Sequence, residues 1–322
     1  MARRAKAPVK RRPAAAKSPK IAPDELLTVL DFVRYAVSRF VEAKLVFAHG
    51  TTDPVAEAAF LVCETLHLTP EQFELFANAR VTAAESKKLL DVIARRVTTR
   101  KPAAYLVNKI YMQGLPFYLD ERVIVPRSFI GELLEQHFGG EDGSLIDDPS
   151  AVQSVLDLCT GSGCLAILAS RNFPMARIDA VDISKDALDV AARNVADYAL
   201  RDRISLHRGD LFKPLGANRY DLIISNPPYV DAEGMAGLPP ECRFEPKLAF
   251  DGGADGLDIV RRILDEAGKH LTPHGGLLCE IGRGRELLEA AFPQLPLLWL
   301  DTVDSEGEVF WIGAATLRHG RA

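Results

Sequence analysis

Tyr220-Asp221-Leu222-Ile223-Ile224-Ser225-Asn226-Pro227-Pro228-Tyr229 decides how the rest of the chain is read. Its first six residues are a strand-length, largely apolar run with β-branched members, and two prolines stop it. A short parallel strand that ends so abruptly delivers its last side chain to the carboxyl edge of a sheet, where ligands of open α/β sheets bind. Pro228 holds the residue before it extended, and neither proline has an N–H to donate. The Pro227 carbonyl, the Asn226 amide oxygen and the Tyr229 ring can therefore face one small planar group. Two acceptors and an aromatic face suit an –NH2 group, holding both hydrogens and leaving the nitrogen lone pair aimed at an electrophile. Alone, the four residues Asn226–Tyr229 fit a plain strand-to-loop turn equally well. The sequence around them decides.

From Ser154 onward strands and helices alternate. Val155–Cys159, Ala176–Asp182, Ile204–Arg208, Asp221–Ser225 and Gly276–Ile281 read as strands. Cys164–Arg171, Lys185–Tyr198, Leu257–Lys269 and Arg283–Ala291 read as helices. Leu297–Leu300 and Glu308–Ala314 form a closing pair. Alternation with short loops predicts a doubly wound, mostly parallel seven-stranded sheet, with one antiparallel strand from the closing pair.

Upstream of residue 128 the character changes twice. Residues 21–101 carry apolar residues at helical spacing (Leu26, Leu27, Leu30, Val33, Ala36, Val37), with further helices near Pro54–His67, Pro70–Asn78 and Ala83–Val97. Pro70 suits a first-turn position after an N-cap at Thr69. This small all-α domain holds no catalytic constellation and is expected to recognise a protein substrate. Residues 102–127 read as a β-hairpin linker in which Tyr105, Ile110, Tyr111, Phe117, Tyr118 and Val123-Ile124-Val125 supply the strands and Gly114-Leu115-Pro116 the turn. The catalytic domain is then 128–322.

Composition excludes several classes. No apolar run approaches the length of a membrane span, and the N-terminus has no apolar signal core. Five scattered cysteines without a Cys-x-x-Cys pair read as reduced thiols of a cytoplasmic protein, with neither a disulfide frame nor a metal site. Residues 1–20 hold eight Lys/Arg and no acid, so the formal −5 of the whole chain leaves −13 on the remainder. That basic tail is expected to be disordered. A weak RNA contact and a merely solubilising role stand as equal readings of it.

Asp157-Leu158-Cys159-Thr160-Gly161-Ser162-Gly163 ends the first strand of the alternating region. Gly161 and Gly163 allow a sharp turn and a close ligand approach. Gly161–Ala166 also satisfies the dinucleotide pattern Gly-x-Gly-x-x-Ala, and Asp182, where an acid takes ribose hydroxyls, does not discriminate. Three features do. Asp157 beneath the loop suits a cationic ligand and not a pyrophosphate. Asp210, after the third strand, can accept from an exocyclic adenine –NH2. Asn226–Tyr229 ends the fourth. Together they describe adenine, ribose and a sulfonium arm beside an amine-type acceptor, which is S-adenosylmethionine with a methyl acceptor. An amide or adenine –NH2 is a poor nucleophile until hydrogen bonds from its two hydrogens favour a pyramidal nitrogen and receive its developing charge.

With these residues the chain resembles the HemK-like glutamine methyltransferases over roughly residues 20–318. The resemblance implies a Rossmann-like class I S-adenosylmethionine-dependent methyltransferase fold and S-adenosylhomocysteine as product. The release-factor branch usually has Gly where this chain has Cys159, and an Arg-Pro-Glu-Thr-Glu-like stretch after its Ile-Pro. Val125-Pro126-Arg127-Ser128, Ala104-Tyr105-Leu106, Asn108-Lys109 and Ile130-Gly131-Glu132-Leu133 are similar instead to the PrmB branch, which acts on the third protein of the large ribosomal subunit, with ribosome assembly as one setting. Phe129 departs from the proline expected there. Arg243–Gly253 matches the loop that follows the family's catalytic motif. By this resemblance Asp157, Thr160, Gly161, Gly163, Asp182, Ile183, Asp210, Leu211 and Asn226 hold the cofactor. Asn226, Pro227, Pro228 and Tyr229 hold the glutamine amide, and Phe117 and Arg127 line the pocket. No metal is implied. A release-factor glutamine methyltransferase and an adenine-N6 nucleic-acid methyltransferase are the alternatives.

Overall fold

A computed structural model describes residues 25–138, 145–146 and 148–319. The basic tail 1–20 and most of the acidic loop 139–150 lie outside the described residues. The chain forms two compact units.

In the first unit the described residues run to Leu45 and resume at Pro54–Lys101. Its helices are α1 (Val29–Glu42), α2 (Pro54–Leu66), α3 (Pro70–Phe76) and α4 (Ala83–Thr99). Capping boxes fix three of the starts: Thr28 with Asp31, Thr69 with Gln72, and Thr82 with Glu85. The apolar spacing that begins at Leu26 therefore becomes helical only at Val29, after its cap. Arg96 and Glu57 form a buried bidentate ion pair, with Nε–Oε1 2.6 Å and Nη2–Oε2 3.3 Å.

The second unit comprises Val46–Asp53 and everything from Pro102 onward. It opens with α5 (Ala103–Val107) and a hairpin of β1 (Ile110–Met112) and β2 (Leu115–Phe117). The hairpin is shorter than its sequence reading. Gln113 and Gly114, both at positive φ, make the two-residue turn, and Leu115 and Pro116 already pair across the ladder. Tyr105 sits on α5, and Val123–Val125 joins no strand. The Tyr105 hydroxyl donates to the Val123 carbonyl and so anchors this irregular stretch. Phe117, expected to line a pocket, is buried in the core with its ring 5.5 Å from that of Tyr198. As the last residue of β2 it points inward, where the ladder register leaves it no other face.

After α6 (Ile130–His137) come β3 (Ser154–Leu158), α7 (Cys164–Asn172), β4 (Arg177–Asp182), α8 (Lys185–Asp197), β5 (Ile204–Arg208) and β6 (Tyr220–Ser225). Then follow α9 (Ala232–Gly237), α10 (Asp258–His270), β7 (Leu271–Glu280), α11 (Arg285–Ala291), β8 (Leu298–Leu300), β9 (Val309–Gly313) and α12 (Ala314–His319). The seven-stranded sheet has the order β5-β4-β3-β6-β7-β9-β8, and β9 is antiparallel to both its neighbours. Alternate residues feed two cores. Val155, Leu222, Ile224 and Leu278 pack with α6, α7 and α8, while Leu156, Ile223, Leu277 and Cys279 pack with α10, α11 and α12. The chain runs from β3 outward to β5, then returns to place β6 on the other side of β3. That reversal opens a crevice beyond the carboxyl ends of β3 and β6, the switch point at which open α/β sheets bind ligands.

Candidate active site

Cys159, Gly161 and Gly163 all adopt positive φ in the loop that leaves β3. A glycine would take φ +60° freely, so Cys159 occupies a conformation that costs a side-chain-bearing residue about 1 kcal/mol. It also ends the strand one residue earlier than its apolar run does. Thr160 N–H donates to the Val181 carbonyl at 3.0 Å, tying the loop to β4. A Cβ on Gly161 would meet nothing within 4 Å, whereas one on Gly163 would come within 3.2 Å of Ala191 Cβ on α8. Gly161 therefore keeps open the space above the loop, and Gly163 allows close packing beneath it.

Asp157 lies under this loop and off the cavity wall, which corrects its expected direct contact with a ligand. It stands two residues before the loop, inside the sheet layer, and its Oδ2 accepts from Thr160 Oγ1 (2.6 Å) and from Ala166 N–H (3.1 Å) in the first turn of α7. Its Oδ1 is buried without a partner. Burial pushes the carboxyl up to about 7. Asp182, at the end of β4, accepts from Gly161 N–H at 2.9 Å and from Ser184 N–H at 2.8 Å. Its pKa is also raised by burial. Asp210 accepts from Lys213 Nζ and Arg262 Nη2, each at 2.6 Å, and these two cations hold its carboxyl below the usual range.

β3 and β6 are in register, with Leu158 beside Ser225, whose Oγ donates to the Leu158 carbonyl at 3.0 Å. Asn226 is the next residue. One cavity of about 480 Å³ is lined by Thr160, Gly161, Asp182, Ile183, Asp210 and Leu211 together with Asn226, Pro227, Pro228, Tyr229 and Arg127. Of the residues singled out from the sequence, only Asp157, Gly163 and Phe117 are absent from its wall.

The Gly-rich stretch after the Asn-Pro-Pro-Tyr motif supports that motif. Val230 N–H donates to the Phe250 carbonyl (2.8 Å), and Gly252 N–H donates to the Val230 carbonyl (2.9 Å). A Cβ on Gly252 would lie 2.8 Å from Tyr229 Cα, and one on Gly256 would lie 2.4 Å from the Tyr229 carbonyl oxygen. The Tyr229 hydroxyl donates to Glu280 Oε1 at 3.1 Å. Glu280 ends β7 in full burial, and its carboxyl is pushed up to about 7. Glu280 and Glu245, whose buried carboxylates accept from Phe129 and Val125 N–H beside the cavity, were not singled out from the sequence. Each is an acid placed where the chain is otherwise apolar or Pro-bounded, and that was the available signal.

Asp157 and Glu280 carry a testable pH effect. Their folded pKa lies above the unfolded value, so the stability they confer is fully present below about pH 4 and is lost as pH rises through about 7. The unfolding free energy from urea titration is expected to be roughly 2–3 kcal/mol higher at about pH 6 than at about pH 8, with Asp157→Asn removing about half of the difference. A flat profile over that window would contradict the burial assigned to both acids.

Residues 144–237 match the family model described as Methyltransferase small domain, and residues 34–107 match the PrmC N-terminal domain. A ribosomal protein uL3 glutamine methyltransferase of Bradyrhizobium diazoefficiens is 76% identical over 306 residues, covering 94% of this chain and 96% of that protein. The chain belongs to this methyltransferase family. A second member, from Burkholderia pseudomallei, is 53% identical over 304 residues and covers 92% and 97% of the two chains. A solved methyltransferase of Pyrococcus furiosus superposes with a TM-score of 0.46 at 16% identity, over 71% of this chain and 98% of that one. Family membership and the sheet order make the fold the Rossmann-like one of class I methyltransferases and S-adenosylmethionine the cofactor, and the dinucleotide reading of Gly161–Ala166 falls away.

Proposed function

We propose that this protein methylates the side-chain amide nitrogen of a glutamine in ribosomal protein uL3, in the cavity between the Gly161–Gly163 loop and Asn226–Tyr229. The register of Leu158 with Ser225 carries the reading, because it brings the cofactor loop and the acceptor motif to adjacent strand ends on one cavity.

The residues present fit S-adenosylmethionine. The space kept open above Gly161, the acid at the end of β4 and a volume within the usual range for small-molecule sites all favour an adenosyl ligand. Asp182 would take the ribose hydroxyls and Asp210 the adenine amine, with Ile183 and Leu211 as apolar walls. When bound, S-adenosylmethionine supplies a methyl group on a positive sulfonium, open to in-line displacement. The protein's part is alignment, which can lower a barrier by ~7–11 kcal/mol. Asn226 and the Pro227 carbonyl would accept the two amide hydrogens, favour the pyramidal nitrogen and receive its developing positive charge. The Tyr229 ring, fixed through its hydroxyl by Glu280, would pack on the amide plane. The methylated nitrogen is acidic enough to lose its proton to water, so no side chain is assigned as base.

Asp182→Asn is expected to weaken S-adenosylhomocysteine binding roughly 10–100-fold, since the negative charge and one of the two acceptor oxygens that serve Gly161 N–H and the ribose hydroxyls are lost. Isothermal titration measures this, and an unchanged Kd would remove Asp182 from the cofactor site. The reading as a whole is tested by offering isotope-labelled S-adenosylmethionine with uL3, a release factor and DNA side by side. Label on uL3 supports it; label on either of the others selects a competing reading.

A further inference from the structure

Val125-Pro126-Arg127-Ser128 lines the cavity in neither helix nor strand, and it is gripped at both ends by a buried carboxylate from a distant part of the chain. At one end Glu245 Oε1 accepts from Val125 N–H (2.9 Å) and from Arg127 Nη1 (3.1 Å). At the other, Glu280 Oε2 accepts from Phe129 N–H (3.0 Å) and from Ser128 Oγ (2.7 Å). Each acid thus takes one backbone and one side-chain donor from the same five residues. The second oxygens bind outward: Glu245 Oε2 lies 3.0 Å from His49 Nε2, and Glu280 Oε1 takes the Tyr229 hydroxyl. Glu245 is 4% exposed and Glu280 1%. Burying two carboxylates is costly unless every bond is made, and here the bonds converge on one irregular segment. Pro126 has no N–H to satisfy and further limits the segment's freedom.

Arg127 is the group this arrangement presents. Its side chain keeps 30% of its exposure, its guanidinium lies 5.6 Å from the Phe250 ring, and it also donates to the Val125 carbonyl at 3.3 Å. A guanidinium has five N–H donors, so some remain for a ligand in the cavity. Donation to the carbonyl of the target glutamine side chain would deepen amide resonance and blunt its nitrogen. A main-chain carbonyl next to that glutamine carries no such penalty.

We propose that Val125–Phe129 is a preorganised recognition strap for the acceptor polypeptide, in which Arg127 donates to a main-chain carbonyl beside the target glutamine and Glu245 and Glu280 are positioning residues. The inference rests on the functional reading above and deepens it. Preorganisation of this kind improves binding by removing the ordering cost that a free segment would incur.

Two measurements test it. Hydrogen exchange of the full-length protein, which needs no acceptor, should show the Val125 and Phe129 amides protected, with protection lost at Val125 in Glu245→Ala and at Phe129 in Glu280→Ala, where the accepting oxygens are gone. Steady-state methylation of uL3 should show KM for uL3 raised roughly tenfold in Glu245→Ala, with S-adenosylhomocysteine affinity within twofold of wild type. Arg127→Met, which spares the bond that Val125 N–H donates to Glu245, gives the same rise should Glu245→Ala not fold, and Arg127→Lys restores part of it. Unchanged exchange in both alanine variants, or an unchanged KM in Arg127→Met, overturns the strap. A fall in cofactor affinity in Arg127→Met also overturns it, because Arg127 would then serve the methyl donor. Failure of the wild type to label uL3 overturns the functional reading instead, and leaves the exchange result standing by itself.

Discussion

Asn226→Ala is expected to lower turnover on uL3 about 10³-fold while S-adenosylhomocysteine affinity changes little. Removing the side chain takes away one of two acceptors for the amide hydrogens, and with it a group that receives positive charge in the transition state. Loss of a single preorganised group of that kind costs ~10²–10³ in rate. Misalignment adds to this, because an amide held by the Pro227 carbonyl alone can rotate, and an error of about 1 Å can itself cost 10²-fold. Cofactor affinity should survive because the acid at the end of β4 and the Gly161 loop it holds are left intact. Single-turnover methyl transfer reads the chemical step directly. An unchanged rate would remove Asn226 from the mechanism.

Gly282→Ala should be the next most damaging single change, with turnover down roughly 10²-fold. Gly282 sits at φ +55°, and a Cβ there would lie 2.6 Å from Tyr229 Cε2. The strain of a left-handed alanine is about 1 kcal/mol and tolerable alone. The collision is worse, because the ring has no free retreat: its hydroxyl is held by Glu280 and its backbone by the close approach of Gly252 and Gly256. The ring is therefore forced out of the position it holds in the cavity wall. A kcat loss with unchanged S-adenosylhomocysteine binding in titration calorimetry is the expected pattern. Wild-type kcat in Gly282→Ala would mean that the ring's position does not matter to the reaction.

The parts of the site that depend on strand ends were legible in the sequence. Gly161 and Asn226 follow the buried parallel strands β3 and β6, Asp182 ends β4 and Asp210 follows the edge strand β5, and the sheet order brings these strand ends to one cavity. The parts that depend on packing from a distance were not. Phe117 reads as a pocket-lining aromatic of the linker, but it is buried in the core with Tyr198, on the turn after α8, against its ring. Val123–Val125 has the composition of a strand, but among the described residues it pairs with no strand, and a Tyr105 hydrogen bond anchors it instead. Glu245 and Glu280 reach Val125–Phe129 across more than a hundred residues of chain, and no local pattern records that contact. Asp157 was placed correctly in the chain and misread in role, because alternation along β3 turns it under the loop and away from the cavity.

A crystal structure with S-adenosylhomocysteine and a glutamine-bearing segment of uL3 bound together tests the account most directly. The thioether sulfur is predicted beside the Gly161–Gly163 loop, with the carboxamide nitrogen in line with it and hydrogen-bonded to the Asn226 side-chain oxygen and the Pro227 carbonyl. A carboxamide seated away from Asn226, or a nucleoside bound away from Asp182, would contradict it.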